Sequence, residues 1–390
     1  MIQQNPQGDF VPDLAESWEV SKDGLAYTFR LVKNAVWHDG KPFTSADVKY
    51  TIEEVLCKVH PRYMSVYASI RGVDAPDAYT AIVRMKNVYP AMLKYLGNYY
   101  ANIVPKHLYE GTDVLKNPYN MKPVGTGPFK FKEYVKGDHI TMVRNEKYFK
   151  KGKPYLDRVI FKIIPDTSAR IMAFEKGEVD YLNYYGFPNN ELNRLSKLPG
   201  VTAMVYLLQP LCSVQWNLVN IRKPPLSDVR VRQAIAYAID KQELLDKAFF
   251  GIGKVSTGPI SSGIKWAYNP NVPKYEKNLA LANKLLDEAG YPKGTDGIRF
   301  KTKLVFDRGM AEVAKVSEIV RLQLREIGVD VLLQPMDSAT YIAAMTAWDY
   351  ELAPARGASG PDPAIGTSNH YGKNIRHADS ANPVSYTHLT

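Results

Sequence analysis

The sequence predicts an α/β protein, and three observations carry the prediction. Segments with the two-residue period of strands alternate with segments of helical period. Several helical segments carry apolar stripes wide enough to bury. The 390 residues exceed what one hydrophobic core usually supports, so two or three lobes are expected. A hydrophobic fraction of 45% and a mean hydropathy of −0.29 suit a globular chain, and no run approaches the roughly 18 apolar residues of a membrane helix.

In chain order, Leu25, Tyr27, Phe29 and Leu31 alternate with Ala26, Thr28, Arg30 and Val32, the pattern of a strand. Thr44 followed by Asp47 approximates a capping box ahead of a helix running through Leu56. Ala81–Met85 reads as a strand and Pro90–Leu96 as a short helix, completing a first α/β block. Gly125, Gly127 and Pro128 form a turn signal that opens a second block. Its strands are expected at Phe129–Val135, His139–Arg144, Arg158–Ile164 and Val179–Leu182, with a helix through Phe174 before the last. Thr202–Leu208 and Ser213–Leu218 are further strands.

The third block opens with Pro225–Lys241, PLSDVRVRQAIAYAIDK. Pro224 and Pro225 resist helix, and Asp228 is placed to accept the free backbone N–H groups of a first turn. Val231, Ala234, Ile235, Ala238 and Ile239 then form one stripe, with Arg230, Arg232 and Gln233 off it. Leu279–Ala289 reads as a helix stopped by Gly290 and Pro292. A strand at Arg299–Phe306, a helix at Met310–Ile327 stopped by Gly328, and a strand at Val329–Leu333 follow, with another strand at Trp348–Leu352. Repeated strand, helix, strand units imply a parallel or mixed sheet with helices on its faces.

Lys plus Arg exceeds Asp plus Glu by 50 to 40, but the basic residues, such as Lys130, Lys132 and Lys136, are spread along the chain. No nucleic-acid module accompanies them, so they read as a solvated surface with no nucleic-acid partner. Cys57 and Cys212 form no metal-type spacing and read as two buried free thiols, a bridge between them remaining open. The 26 tyrosines read mainly as strand and core filler, though flat rings with a polar tip also suit surfaces that hold varied ligands.

Two motifs invite catalytic readings and lack the chemistry for them. GTGPF at Gly125–Phe129 has no Lys-Ser/Thr pair after it to grip phosphate and magnesium, so it reads as a turn into a strand. His38-Asp39-Gly40 lacks a partner nucleophile on a strained elbow, and the other histidines have no metal spacing, so WHDG reads as a turn. The chain is expected to be a non-enzyme without cofactor or metal; an extracellular hydrolase is the competing class.

Four ordered segments resemble one family. They are Val11–Ile52 (VPDLAESWEVSKDGLAYTFRLVKNAVWHDGKPFTSADVKYTI), VGTGPFKFKEY with the later RNEKYFKKGKPYLDRVIFKIIPD, GEVDYL at Gly177–Leu182, and DVRVRQAIAYAIDK. The wording is similar to that of the extracytoplasmic solute-binding proteins of ABC transporters, family 5, which includes oligopeptide-, dipeptide- and nickel-binding members. The resemblance implies a two-lobed clamp of the type II periplasmic-binding-protein class, with mixed sheets, helices on both faces and a small extra α/β subdomain. Domain boundaries follow as 1–122 for that subdomain, 123–212 for the core of the first lobe and 213–381 for the second lobe. The ending VSYTHLT resembles translated adapter sequence, so 382–390 reads as a non-native tail. Relatives extend further at both ends, so the chain reads as a fragment that should be loosely folded, with buried strand edges unpaired.

The resemblance also implies partners and a site. A peptide-like solute would be captured and delivered to the transmembrane subunits of an ABC permease by a monomer at the periplasmic or extracellular face of the membrane. An oligosaccharide, a nickel chelate or another metabolite is the alternative cargo. Relatives hold peptides by main-chain hydrogen bonds, with an acidic residue on the amino group and, in some, a basic residue on the carboxylate. Asp362 is the candidate for the amine, within the altered segment Gly357, Ala358, Ser359, Gly360, Pro361, Asp362, Pro363. Arg308 and Arg356 are the candidates for the carboxylate, and Gln215, Trp216 and Asn217 are candidate cleft residues.

Overall fold

The computed structural model describes residues 1–5, 9–59, 64–97, 100–183, 189–204, 213–258 and 260–358. They divide into two compact units, Met1–Leu182 and Asn183–Thr390.

In the first unit, β1 (Ile2–Gln4) and β2 (Phe10–Pro12) form an antiparallel ribbon. A four-stranded sheet follows, built from β3 (Ala15–Val20), β4 (Ala26–Leu31), β5 (Ile70–Asp77) and β6 (Thr80–Met85) in the order β3-β4-β6-β5. All its pairings are antiparallel: short turns join β3 to β4 and β5 to β6, and the helical segment after β4 crosses over so that β6 lies beside β4 with β5 at the edge. The predicted alternation holds in β4: Tyr27, Phe29 and Leu31 are buried, while Arg30 is exposed.

Between β4 and β5 lie α1 (Ser45–Tyr50), a π-helical turn at Thr51–Leu56, α2 (Cys57–Val59) and α3 (Met64–Tyr67). The Thr44–Asp47 capping box is present. Asp47 does more than cap: its buried carboxylate also accepts the backbone N–H of Lys106 at 2.9 Å, at the start of a later helix. Cys57 is a free, half-buried thiol whose Sγ donates to the Tyr67 carbonyl; Cys212 lies outside the described residues. The short helices α4 (Met92–Tyr95) and α5 (Lys106–Tyr109) lead to an antiparallel sheet of β7 (Phe129–Val135), β8 (His139–Arg144) and β9 (Arg158–Lys162), then α6 (Thr167–Glu175). The strand expected at Val179–Leu182 does not form: Gly177 turns the chain with a φ of +71°, and no described strand lies alongside to pair with it.

The WHDG segment is a turn, closed by Gly40 N–H donating to the Trp37 carbonyl at 2.8 Å. It also holds the GTG turn from across the chain. His38 N–H donates to the Gly125 carbonyl at 2.8 Å, Gly125 N–H donates to His38 Nδ1 at 3.1 Å, and His38 Nε2 lies 3.0 Å from the Gly127 carbonyl. Only the neutral imidazole carrying its proton on Nε2 satisfies both ring contacts. Asn145 Nδ2 donates to the same Gly127 carbonyl at 3.0 Å, and His107 Nε2 sits 2.6 Å from Asp39 Oδ2.

The second unit contains α7 (Asn189–Leu195), β10 (Ser213–Val219), α8 (Val229–Ala238), α9 (Lys241–Ala248) and α10 (Leu279–Glu288). These are followed by β11 (Phe300–Asp307), α11 (Ala311–Glu326), β12 (Val329–Met336), α12 (Ser338–Thr346) and β13 (Leu352–Ala358). Of the strand expected at Thr202–Leu208, residues 202–204 are irregular and the remainder lie outside the described residues. Sheet order is β10-β13-β11-β12, with β11 parallel to both neighbours and β10 antiparallel to β13.

This mixed sheet is covered on two sides, which explains the unbroken apolar run Leu304-Val305-Phe306 in β11. Leu304 and Phe306 pack with Val231 and Ala234 of α8, Leu286 of α10 and Val316 and Leu324 of α11. Val305 belongs to a separate cluster with Leu218, Met345 of α12, Tyr350 and Ala353. The α8 helix starts as its sequence dictates: Asp228 accepts the Arg230 N–H at 2.8 Å, and Val231, Ala234, Ile235 and Ala238 are buried.

The strand expected at Trp348–Leu352 is displaced toward the C-terminus. Trp348 takes a left-handed φ of +60° after α12, and the Trp348 and Tyr350 carbonyls accept Asn220 Nδ2 at 3.1 and 2.9 Å instead of entering a ladder. The strand begins only at Leu352 and runs through Arg356, Gly357 and Ala358. No helix among the described residues is long and apolar enough to cross a membrane.

Candidate ligand-binding edge of the second unit

Ligands of open α/β sheets gather outside the carboxyl ends of parallel strands. In the second unit that edge is formed by Asp307 of β11, Met336 of β12 and the final residues of β13. Leu352 lies beside Leu304, and β13 then outruns β11, which ends at Asp307. In the antiparallel pairing with β10, Asn217 faces Pro354 and Trp216 faces Ala355 level with the last residues of β11, and the pairs Gln215 with Arg356, Val214 with Gly357 and Ser213 with Ala358 extend past its end. Two groups of candidates more than a hundred residues apart in sequence are thus brought into one ribbon. Arg308 stands at the turn after β11, on the same edge. Ser359, Gly360 and Asp362 lie outside the described residues.

Arg308 is exposed, and its guanidinium makes no hydrogen bond or ion pair among the described residues. Arg321 on α11 is also exposed without a partner among the described residues, whereas three other arginines of the unit are engaged. Arg299 is hydrogen-bonded from four directions, Arg325 pairs with Asp330, and Arg222 lies 3.5 Å over the Trp348 ring. A free guanidinium at a strand end offers a planar fork of donors to a carboxylate.

Behind the edge, α12 is tied to β13 by Tyr341, whose hydroxyl donates to the Pro354 carbonyl at 3.3 Å. Burial, reinforced by the neighbouring Tyr350 and Asp307, pushes the Tyr341 phenol up to about 12, so it stays a protonated donor. Asp337 caps α12 through the Thr340 N–H, and the Thr340 backbone and hydroxyl bonds hold its carboxyl below the usual range. Sequence reading passed over Asp307, Ser338 and Tyr341. A signal for the first two was present: FDRG and MDS place a carboxylate directly after an apolar strand, where the next turn begins.

The mixed and antiparallel sheets with their flanking helices define an α/β protein of two compact units. The chain belongs to the bacterial extracellular solute-binding proteins, family 5, whose model matches residues 9–376. It is 30% identical over 361 residues to the oligopeptide-binding protein AppA of Bacillus subtilis, covering 87% of this chain and 64% of that protein. The chain thus spans a little under two thirds of that relative's length. The structure of AppA from Bacillus subtilis in complex with a nonapeptide superposes with a TM-score of 0.76 at 28% identity, covering 93% of this chain and 73% of that one. The crystal structure of NikA from Brucella suis in complex with Fe(III)-EDTA gives a TM-score of 0.84 at 26% identity, covering 98% and 76%.

Proposed function

We propose that the chain is the solute-capturing component of an ABC importer, that its solute is peptide-like, and that it hands this solute unchanged to the transmembrane subunits of a permease. The observation that carries the reading is the β10–β13 ribbon outrunning β11 beside Arg308, whose guanidinium has no partner among the described residues, at the strand edge where such sheets receive ligands. In this reading Arg308 or Arg356 receives the carboxylate, Asp362 the amine, and Gln215, Trp216 and Asn217 line the site. Residues 1–122, 123–212 and 213–381 act as subdomain, first-lobe core and second lobe. The protein works as a monomer at the periplasmic or extracellular face, consistent with a family of extracellular proteins. The likeness to AppA favours peptide, and the likeness to NikA supplies the second reading, a metal chelate or other small metabolite.

Titration calorimetry with a pool of tri- to pentapeptides, beside mass spectrometry of solute released from the purified protein, separates the two. Peptide binding with the peptide recovered intact is expected. Recovery of a chelate or sugar with no peptide heat would replace the cargo, and recovery of cleaved peptide would replace the class.

A further inference from the structure

The turn that carries Arg308 is braced from below by a buried carboxylate. Asp307 is buried at 8% exposure, and both its oxygens are used. Oδ1 accepts the Gly309 N–H at 2.8 Å and Oδ2 accepts the Ser338 hydroxyl at 2.6 Å. Arg308 N–H donates to the Met336 carbonyl at 2.9 Å, and Met310 N–H donates to the Asp307 carbonyl at 3.3 Å. The turn is therefore fixed to β12 and to the first residue of α12. Gly309 fits this arrangement closely, since a Cβ there would meet Asp307 Oδ1 at 3.1 Å.

We propose that Asp307 and Ser338 are positioning residues that hold the Arg308 turn in place beneath its guanidinium, and so set the affinity of this edge for a solute bearing a free carboxylate. Its basis is preorganisation of the turn. A guanidinium carried on a turn fixed at several points has its root already placed, so less freedom is lost when its fork meets a carboxylate. Ser338 completes the brace by donating to Asp307 Oδ2 in a short, charge-assisted hydrogen bond. Loss of the Ser338 hydroxyl removes the tie between Asp307 and α12 and loosens the turn, which weakens carboxylate capture. The inference rests on the reading of Arg308 given under Proposed function.

The test compares binding of a tri- to pentapeptide pool with that of the same pool amidated at its carboxyl ends, in the wild type, Arg308→Gln, Ser338→Ala, Ser338→Thr and Asp307→Asn. The wild type should prefer the free acids, and Arg308→Gln should abolish the preference. Ser338→Ala should lower affinity for the acids about tenfold, the weight of one charge-assisted hydrogen bond, while leaving the amides within about twofold. Ser338→Thr, which keeps the hydroxyl, should restore the preference, and Asp307→Asn should reduce it. A purely structural role would weaken acids and amides alike, and that result overturns the inference. A preference that vanishes in Arg308→Gln but is untouched in Ser338→Ala and Asp307→Asn also overturns it, with the reading of Arg308 intact. A preference that survives Arg308→Gln, or a wild type that binds neither pool, removes the reading and the inference together.

Discussion

Replacing Arg299 by methionine is expected to destabilise the second unit by about 2–4 kcal/mol, because the carbonyls and the amide oxygen it satisfies are left unpaired at about 1–3 kcal/mol each. The Arg299 side chain is 3% exposed, and its donors are distributed over three elements. Nη1 bonds Asp287 of α10 and the Tyr291 carbonyl, Nη2 donates to Asn283 Oδ1 at 3.0 Å, and Nε donates to the Ile327 carbonyl at 3.0 Å. The last contact satisfies a carbonyl at the end of α11, where a positive charge also complements the helix dipole. Methionine retains the apolar stem and removes every donor, leaving those carbonyls unpaired. Lysine should rescue little, because one ammonium cannot reproduce a planar fork reaching four acceptors. Gly328 belongs to the same arrangement: a Cβ there would lie 2.8 Å from the Gly297 carbonyl and 3.1 Å from Arg299 Cγ, on a residue already at a φ of +80°. Urea denaturation checks the expectation. The midpoint of Arg299→Met should fall with little change in slope, and a midpoint equal to wild type would contradict it.

Acid should weaken the first unit through His38. Burial, aided by Lys130, lowers the His38 pKa against the opposing pull of Gly127 and Asp39, and Nδ1 already accepts the Gly125 N–H, so the folded state favours neutral imidazole. The unfolded chain titrates near the ordinary histidine value, about 6.5. Between that value and the lower native one the unfolded state binds more protons, so stability is fully present above about pH 6.5 and is lost as pH falls through the native pKa. Protonating Nδ1 also sets two donors against each other at the GTG turn. His38→Ala should cost about 1–3 kcal/mol at pH 7.5, for two lost contacts and a Gly125 N–H left without its partner. The gap between wild type and variant in thermal or urea unfolding should then narrow from pH 7 to pH 5. A gap constant across that range would show that His38 does not titrate against folding.

Local design was readable where a residue's role depends on its near neighbours. Phe29 alternates with polar residues and is fully buried, the Thr44–Asp47 box caps α1, Asp228 caps α8, and Gly328 ends α11 in a left-handed conformation. The failures share a cause, since they depend on partners distant in sequence. Val179–Leu182 has the composition of a strand but no described strand to pair with. The strand read at Trp348 starts later because Asn220, more than a hundred residues upstream, captures the Trp348 and Tyr350 carbonyls. The same limit applied to the site. Arg308 was readable as a charge after a strand, and Gln215–Asn217 as a strand before a helix. That Gln215 faces Arg356, or that Ser338 occupies the acid beside Arg308, depends on sheet order and on the docking of α12. His38 carried a catalytic-looking neighbour, and its actual partners, Gly125 and Gly127, lie 87 and 89 residues away.

The central claim is that solute is received at the carboxyl edge of the second unit. Backbone hydrogen exchange on the purified chain, with and without the solute that calorimetry selects, tests this most directly. The account predicts slowed exchange at the Arg308–Gly309 turn and along Ser213–Asn217 and Ala355–Ala358, with little change in the amides of α10. Saturating solute that leaves the turn and the ribbon unchanged while protecting other segments would contradict it.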